Sequence, residues 1–198
     1  MSTDAPSTDR TGLIVETVTD PALAPQVAEV AAATFPLACP AHSSAEDIAA
    51  HIATQLGPDD FAGWITSPGH DVLIARDGDD GPLLGYSLLV YGAPTDAAVA
   101  AAIDGDTAGS DTVTEISKMY VLPDHHAAHR DDRPSHRLME AAIEAARSNG
   151  STMVWLGVNQ ENLRAQRYYR KMGFSTIGTK TFDMNGTIEH DFVLGRRL

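Results

Sequence analysis

The stretch Trp155-Leu-Gly-Val-Asn-Gln-Glu-Asn-Leu-Arg-Ala-Gln-Arg-Tyr-Tyr-Arg-Lys-Met-Gly-Phe174 carries the chain out of a strand, through a helix and towards a second strand. Met153 to Val158 is a short apolar run of strand length, and Asn162 to Met172 has helical spacing. Gly173 ends that helix as a left-handed C-cap, and Phe174 enters the next strand. On the helix Asn162, Ala165 and Tyr169 fall at intervals of three and four and so share a face. A small Ala lets a ligand approach the backbone, Asn offers an amide donor and acceptor, and Tyr offers a hydroxyl. That trio suits a polar, extended cofactor arm. The competing reading packs Tyr169 in the core with its hydroxyl at the solvent edge, and Tyr168 is expected to pack inside.

Working outward, the sequence predicts a first strand at Gly12 to Val18. Asp20 then caps a helix with Pro21 in its first position and Val27, Val30, Ala31 and Thr34 on its buried stripe. Ser43 or Ser44 caps a second helix with Ile48, Ile52 and Leu56 on one face; Gly57-Pro58 ends it, and Phe61 to Ile65 is a short amphipathic piece. Asp71 to Arg76 and Pro82 to Tyr91 read as a hairpin, Thr95 to Ile103 as an Ala-rich helix, and Thr112 to Leu122 as a strand stopped by Pro123. Pro134 to Asn149 is a helix with Leu138, Met139, Ala142, Ile143 and Ala146 inward. Phe174 to Phe182 and Thr187 to Leu194 close the chain as a hairpin about Asn185-Gly186. Strands alternating with helices and finishing in a hairpin imply a mixed α/β sheet with helices on both faces. Residues 1–11 read as a flexible tail and 12–198 as one domain.

The opening stretch resembles the C-terminal half of the GCN5-related N-acetyltransferase (GNAT) superfamily, in which a strand precedes Asn-x-x-Ala-x-x-aromatic-Tyr-x-x-x-Gly-Phe. Those positions are here Asn162, Ala165, Tyr168, Tyr169, Gly173 and Phe174. Leu156-Gly-Val158, Lys171-Met-Gly-Phe174 and the Asp191-Phe192 ending look like the branch containing bacterial polyamine acetyltransferases. The resemblance covers Thr112 to Leu198 well and the first half by element order alone. It implies a mostly antiparallel sheet with a splayed central strand pair, and acetyl-CoA as cosubstrate. It further implies that Asn162 and Ala165 contact the pantetheine arm and that Tyr169 is the acid for the departing thiolate.

Glu115-Ile-Ser-Lys-Met-Tyr-Val-Leu-Pro123 resembles the family strand that splays from its neighbour, with Met119, Tyr120 and Val121 facing the arm. Glu115 matches a position where relatives often carry a base. An alkyl amine is mostly protonated at neutral pH and must lose a proton before it attacks. Glu189, His190 and Asp191 are other candidates, and an ion pair of Glu115 with Lys118 is the plainer alternative.

The departure from the family lies in the phosphate loop, where Arg/Gln-x-x-Gly-x-Gly/Ala lets pyrophosphate reach bare N–H groups at a helix N-terminus. Counting back from Leu138-Met139 puts Arg130, Arg133 and Ser135 at the patterned positions, with no glycine between Pro123 and Asn149. Three readings stay open. Arg130, Arg133 or Arg137 replaces backbone cradling; or acetyl-CoA binding is weakened; or Pro134 starts the helix and leaves the amides of Ser135, His136 and Arg137 for phosphate. His125, His126, His129 and His136 crowd the same region; a solvated loop accounts for them better than a metal.

The net charge of −13 opposes nucleic-acid binding and would steer a cationic small molecule, although plain solubility explains it as well. No apolar run reaches membrane length, the N-terminus is no secretory signal, and the single Cys39 suits a reducing compartment. The expectation is therefore a cytoplasmic enzyme acetylating a small-molecule primary amine, with polyamine slightly favoured and with the homodimer common in this family. The alternative is a degenerate member that binds a ligand without turnover.

Overall fold

The computed structural model describes residues 12–106, 112–123, 133–184 and 186–198; the expected tail at 1–11, Arg130, the three histidines before it and Asn185 lie outside them. The chain forms β1 (Leu13–Thr17), α1 (Ala24–Thr34), α2 (Ala45–Gln55), α3 (Pro58–Thr66), β2 (His70–Asp77), β3 (Leu83–Tyr91) and α4 (Ala97–Asp106). It continues through β4 (Val113–Val121), α5 (Pro134–Ser148), β5 (Met153–Asn159), α6 (Leu163–Lys171), β6 (Ser175–Met184) and β7 (Thr187–Arg197).

Local chemistry sets most boundaries. Asp20 accepts from the Ala22 amide at 2.9 Å, but the turn it caps is 3-10, over Pro21–Leu23, and α1 begins only at Ala24. A second proline, Pro25, fits the first turn of α1, where no N–H donor is required. Ser44 caps α2 through the Asp47 amide at 3.0 Å. Gly57-Pro58 both ends α2 and opens α3, because Pro58 takes the first helical position while Asp60 accepts from the Gly57 amide at 2.9 Å. Gly173 has φ +86°, which relieves the left-handed C-cap of any Cβ clash, and Phe174 N donates to Tyr169 O at 3.1 Å.

The sheet runs β1-β2-β3-β4-β5-β7-β6, with β4 and β5 as its one parallel neighbour pair among the described strands. This is the mixed, mostly antiparallel α/β sheet that the sequence implied. Val27, Ala31, Leu56 and Phe61 from α1–α3 pack on one face with Val72, Ile74 and Leu88. On the same side, α4 places Val99 and Ile103 against Val113, Met153, Trp155 and Val193. The opposite face receives Leu138, Met139, Ala142, Ile143 and Ala146 of α5, with α6 beside it.

Two irregularities shape the centre. Between β3 and β4 the register jumps from Leu88↔Lys118 to Leu89↔Ile116, so Ser117 is the extra residue of a bulge. Strict alternation would put Glu115 and Lys118, three positions apart, on opposite faces. The bulge brings both to the face covered by α1–α4. Second, Gly85 lies so close to β4 that a Cβ there would stand 2.6 Å from Tyr120 O and 2.8 Å from Val121 Cγ2. Gly85→Ala should therefore destabilise the protein by about 1–3 kcal/mol, the usual range for overpacking, in urea unfolding. A variant as stable as the parent would show that β3 and β4 can separate freely.

Candidate functional site

β4 and β5 pair through only three residue pairs, ending at Glu115↔Trp155, whereas β5 stays paired with β7 as far as Asn159↔Asp191. Beyond Glu115 the two central strands part, and the gap between them is the natural slot for an extended ligand. Met119 and Val121 pack towards α5, while Tyr120 packs with the α1 side, its ring 6.5 Å from that of Phe35. The three residues expected to face the arm therefore divide between two faces. What they share is backbone along the slot.

Tyr169 approaches from α6 on the opposite face, its ring 6.0 Å from Phe174 and 5.4 Å from Tyr168. Burial first, and Tyr169 nearby second, raise the pKa of the Tyr120 hydroxyl. Burial alone pushes the Tyr169 hydroxyl up to about 12, so it keeps its proton at neutral pH. Tyr168 is partly buried and donates to Ser135 O at 2.7 Å, tying α6 to the first turn of α5. Asn162 is not on the helical face with Ala165 and Tyr169. It is the N-cap of α6, its Oδ1 accepting from Ala165 N at 3.0 Å, which leaves the Nδ2 donor for other partners.

At the other end of the slot, Arg133 is the N-cap of α5 and Pro134 its first residue, as one of the three loop readings required. That reading also left three amides for phosphate, and here it needs correcting. His136 N and Arg137 N donate to Arg133 O at 2.9 and 3.1 Å, because the first turn closes on that carbonyl. Of the three amides, only that of Ser135 is not consumed by these bonds. His136 Nε2 stands 3.3 Å from Glu140, and Arg137 Nε 3.9 Å from the same carboxylate. Among the described residues no group of three or more His, Cys, Asp or Glu side chains could hold a metal.

Charge gathers on the α1–α4 face of the sheet, around Glu115. Glu115 stands between Val90 and Trp155 in the sheet. Burial pushes its carboxyl above the ordinary range, opposed first by Lys180 and then by Lys118. Lys180 Nζ lies over Trp155, 5.6 Å from the ring centroid. A Cβ on Gly157 would stand 2.6 Å from Lys180 Cε and 3.1 Å from Asp191 Oδ2, so Lys180 and Asp191 meet over a residue with no side chain. Asp191 is likewise raised by burial, with Lys180 opposing. The Glu115–Lys118 ion pair does not form within 4.0 Å; Lys118 Nζ instead sits over Trp64, 5.0 Å from the ring centroid. Trp64 and Trp155 thus each face a cation.

The loop after α1 forms the wall. Phe35 stacks on His51 at 4.6 Å, and burial followed by Lys118 lowers the His51 pKa, favouring the neutral ring. Cys39 donates to Phe35 O at 3.4 Å, and burial with Glu189 nearby pushes its thiol up to about 11, which keeps it unreactive. His42 Nε2 contacts Glu189 Oε1 at 2.8 Å, while Asn159 Nδ2 donates to Glu189 Oε2 at 3.1 Å. Glu189, only 5% exposed, thus pins the wall to β5 and β7 and is committed to structure rather than proton transfer.

Sequence reasoning missed Lys180 and His42. Lys180 had a legible signal: counting outward from the Asn185-Gly186 turn places it opposite Asp191, as observed. His42 had none, since its partner is 147 positions away.

A family model described as acetyltransferase (GNAT) matches residues 39–174. An uncharacterized N-acetyltransferase of Mycobacterium tuberculosis is 38% identical over 175 residues, covering 88% of this chain and 97% of that protein. The PaiA N-acetyltransferase of Thermoplasma acidophilum, solved with coenzyme A, superposes with a TM-score of 0.69 at 16% identity, over 95% of this chain and 100% of that one. YncA of Salmonella typhimurium, solved with its cofactor acetyl-CoA, gives 0.64 at 16% identity over 95% of each chain. At such identities the two solved structures speak for the fold. No helix among the described residues is long and apolar enough to cross a membrane.

Proposed function

The chain belongs to the acetyltransferase (GNAT) family and is an acetyl-CoA-dependent N-acetyltransferase; from that premise we propose direct transfer to a primary amine of a small molecule, catalysed in the cleft over Glu115. The observation that carries this reading is the parting of β4 and β5 at Glu115. Tyr169 packs on the face of the sheet opposite Glu115, which supports a slot with the acid on one side and the base on the other.

The residues present fit acetyl-CoA. Ala165 is small enough to leave room beside the slot, Asn162 Nδ2 at the start of α6 has no acceptor among the described residues, and Arg133 and Arg137 supply cations at the phosphate end. Acetyl-CoA brings the acetyl group as a thioester. Glu115, directly or through one water, removes a proton from the ammonium of the acceptor. A backbone N–H near Met119 to Val121 steadies the oxyanion, and Tyr169 gives its hydroxyl proton to the thiolate. Resemblance to the polyamine branch and the overall charge of −13 favour a cationic acceptor, but Lys118 and Lys180 beside Glu115 speak against a second cationic group reaching the cleft.

Calorimetric titration with acetyl-CoA tests the cofactor half of this reading. Micromolar binding, about −8 kcal/mol, is expected. Asn162→Asp should keep the cap, and hence the stability, because Asp caps as well as Asn. It should still bind acetyl-CoA about tenfold more weakly, since a carboxylate offers no donor to the arm. Asn162→Ala should lose both, with about 1 kcal/mol of stability. No binding at millimolar acetyl-CoA would instead favour a ligand binder without turnover.

A further inference from the structure

We propose that the amine acceptor carries an anionic group, a carboxylate in the first instance, received by Lys118 and Lys180 on either side of Glu115; this rests on the acetyl-transfer reading above. Three observations lead there. The bulge at Ser117 puts Lys118 on the same face as Glu115, and the hairpin register brings Lys180 over Gly157 to the other side of that carboxylate. Both lysines act on Glu115 electrostatically, and neither has a carboxylate oxygen within 4.0 Å among the described residues. Each is held instead over an indole, Trp64 or Trp155, at 5.0 and 5.6 Å.

A partly buried ammonium without a hydrogen-bonding anion is costly, and an aromatic face offsets only part of that cost. Such a group is satisfied when an anion arrives with the ligand. Asp191 and Glu189 do not fill this role: Asp191 stands beyond pairing distance of Lys180, and Glu189 is held by His42 and Asn159. Carboxylate between two lysines thus accounts for what the chain leaves open. A polyamine would instead bring a second cation towards Lys118 or Lys180. The same pair of charges would accept a phosphate monoester, so the two anions are separated by experiment.

The test is thiol release from acetyl-CoA by the full chain, with acceptors in matched sets. Each amino acid is compared with its carboxamide, ethanolamine phosphate with ethanolamine, and putrescine and spermidine are added. The expected result is a kcat/KM at least about tenfold higher for an anionic acceptor than for its neutral match, equivalent to about 1.4 kcal/mol. Lys118→Met and Lys180→Met should each erode that preference mainly through KM, and Lys118→Arg should restore part of it. Two positions keep the test informative if one variant fails to fold. Preference for ethanolamine phosphate alone would make the anion a phosphate and overturn the carboxylate. Equal or better turnover of carboxamides or polyamines would overturn the inference while leaving acetyl transfer standing. No thiol release with any of these amines would overturn the transfer reading, and this inference with it.

Discussion

Replacing Tyr169 with Phe is expected to lower kcat by about 10²–10⁴, the range for loss of a positioned general acid, while leaving acetyl-CoA affinity within a factor of about two. The substitution removes one oxygen and keeps the ring that packs against Phe174 and Tyr168. Fold and cofactor slot should therefore survive, and thermal melting should be little changed. The hydroxyl, pushed up to about 12, carries its proton throughout the neutral range and cannot by itself impose a pH limb below that value. The loss in kcat should accordingly be the same at pH 6.5 and pH 8.5. Steady-state kinetics with a good amine, alongside calorimetry of acetyl-CoA, measures both quantities. If the rate is unaffected, Tyr169 is a packing residue and the thiolate takes its proton from water.

Glu115→Gln should lower kcat/KM by about 10²–10⁴ and also make the protein more stable at neutral pH. The first effect comes from losing the base, the second from burial. The Glu115 carboxyl is raised above its reference value of 4.5 because burial outweighs the attraction of Lys180 and Lys118. A folded pKa above the unfolded one means that the fold favours the protonated form. Its stabilising contribution is complete below the unfolded pKa and is lost as pH rises through the folded one. At pH 7 the ionised side chain therefore weighs against folding, and a neutral isostere removes that load. The melting temperature of Glu115→Gln should exceed the parent's at pH 7, and the gap should close as pH falls through the Glu115 pKa. As a base, Glu115 works only when ionised, so the parent's kcat/KM should rise with pH through that pKa and the inflection should vanish in the variant. An active variant, or one less stable at pH 7, would move the role of base to Asp191, the other carboxyl raised by burial in the cleft.

Much of the architecture was legible because local chemistry decided it. Val27, Val30, Ala31 and Thr34 announced the buried stripe of α1, the Ser44 cap and the Gly173 stop fixed helix ends, and the β6–β7 hairpin was expected where Met184 pairs with Thr187. These signals act over a few residues, so a linear reading captures them. The motif on α6 likewise located Tyr169 and Asn162, although only the folded backbone distinguished a capping Asn162 from one on the helical face.

Read alone, the sequence yields the order of elements, through near-neighbour preferences and periodicity, and through its resemblance over Asn162 to Phe174 the family and the tyrosine helix. Tertiary structure alone decided three further things. The Ser117 bulge placed Lys118 on the face of Glu115, since one extra residue reverses every later side chain and nothing in the composition of β4 marks it. The resemblance implied a splayed strand pair, but where it begins, after the Glu115↔Trp155 pair, was decided only in the folded sheet. Glu189 was fixed in place by His42 from the far end of the chain, a contact that exists only once the sheet has brought the two together.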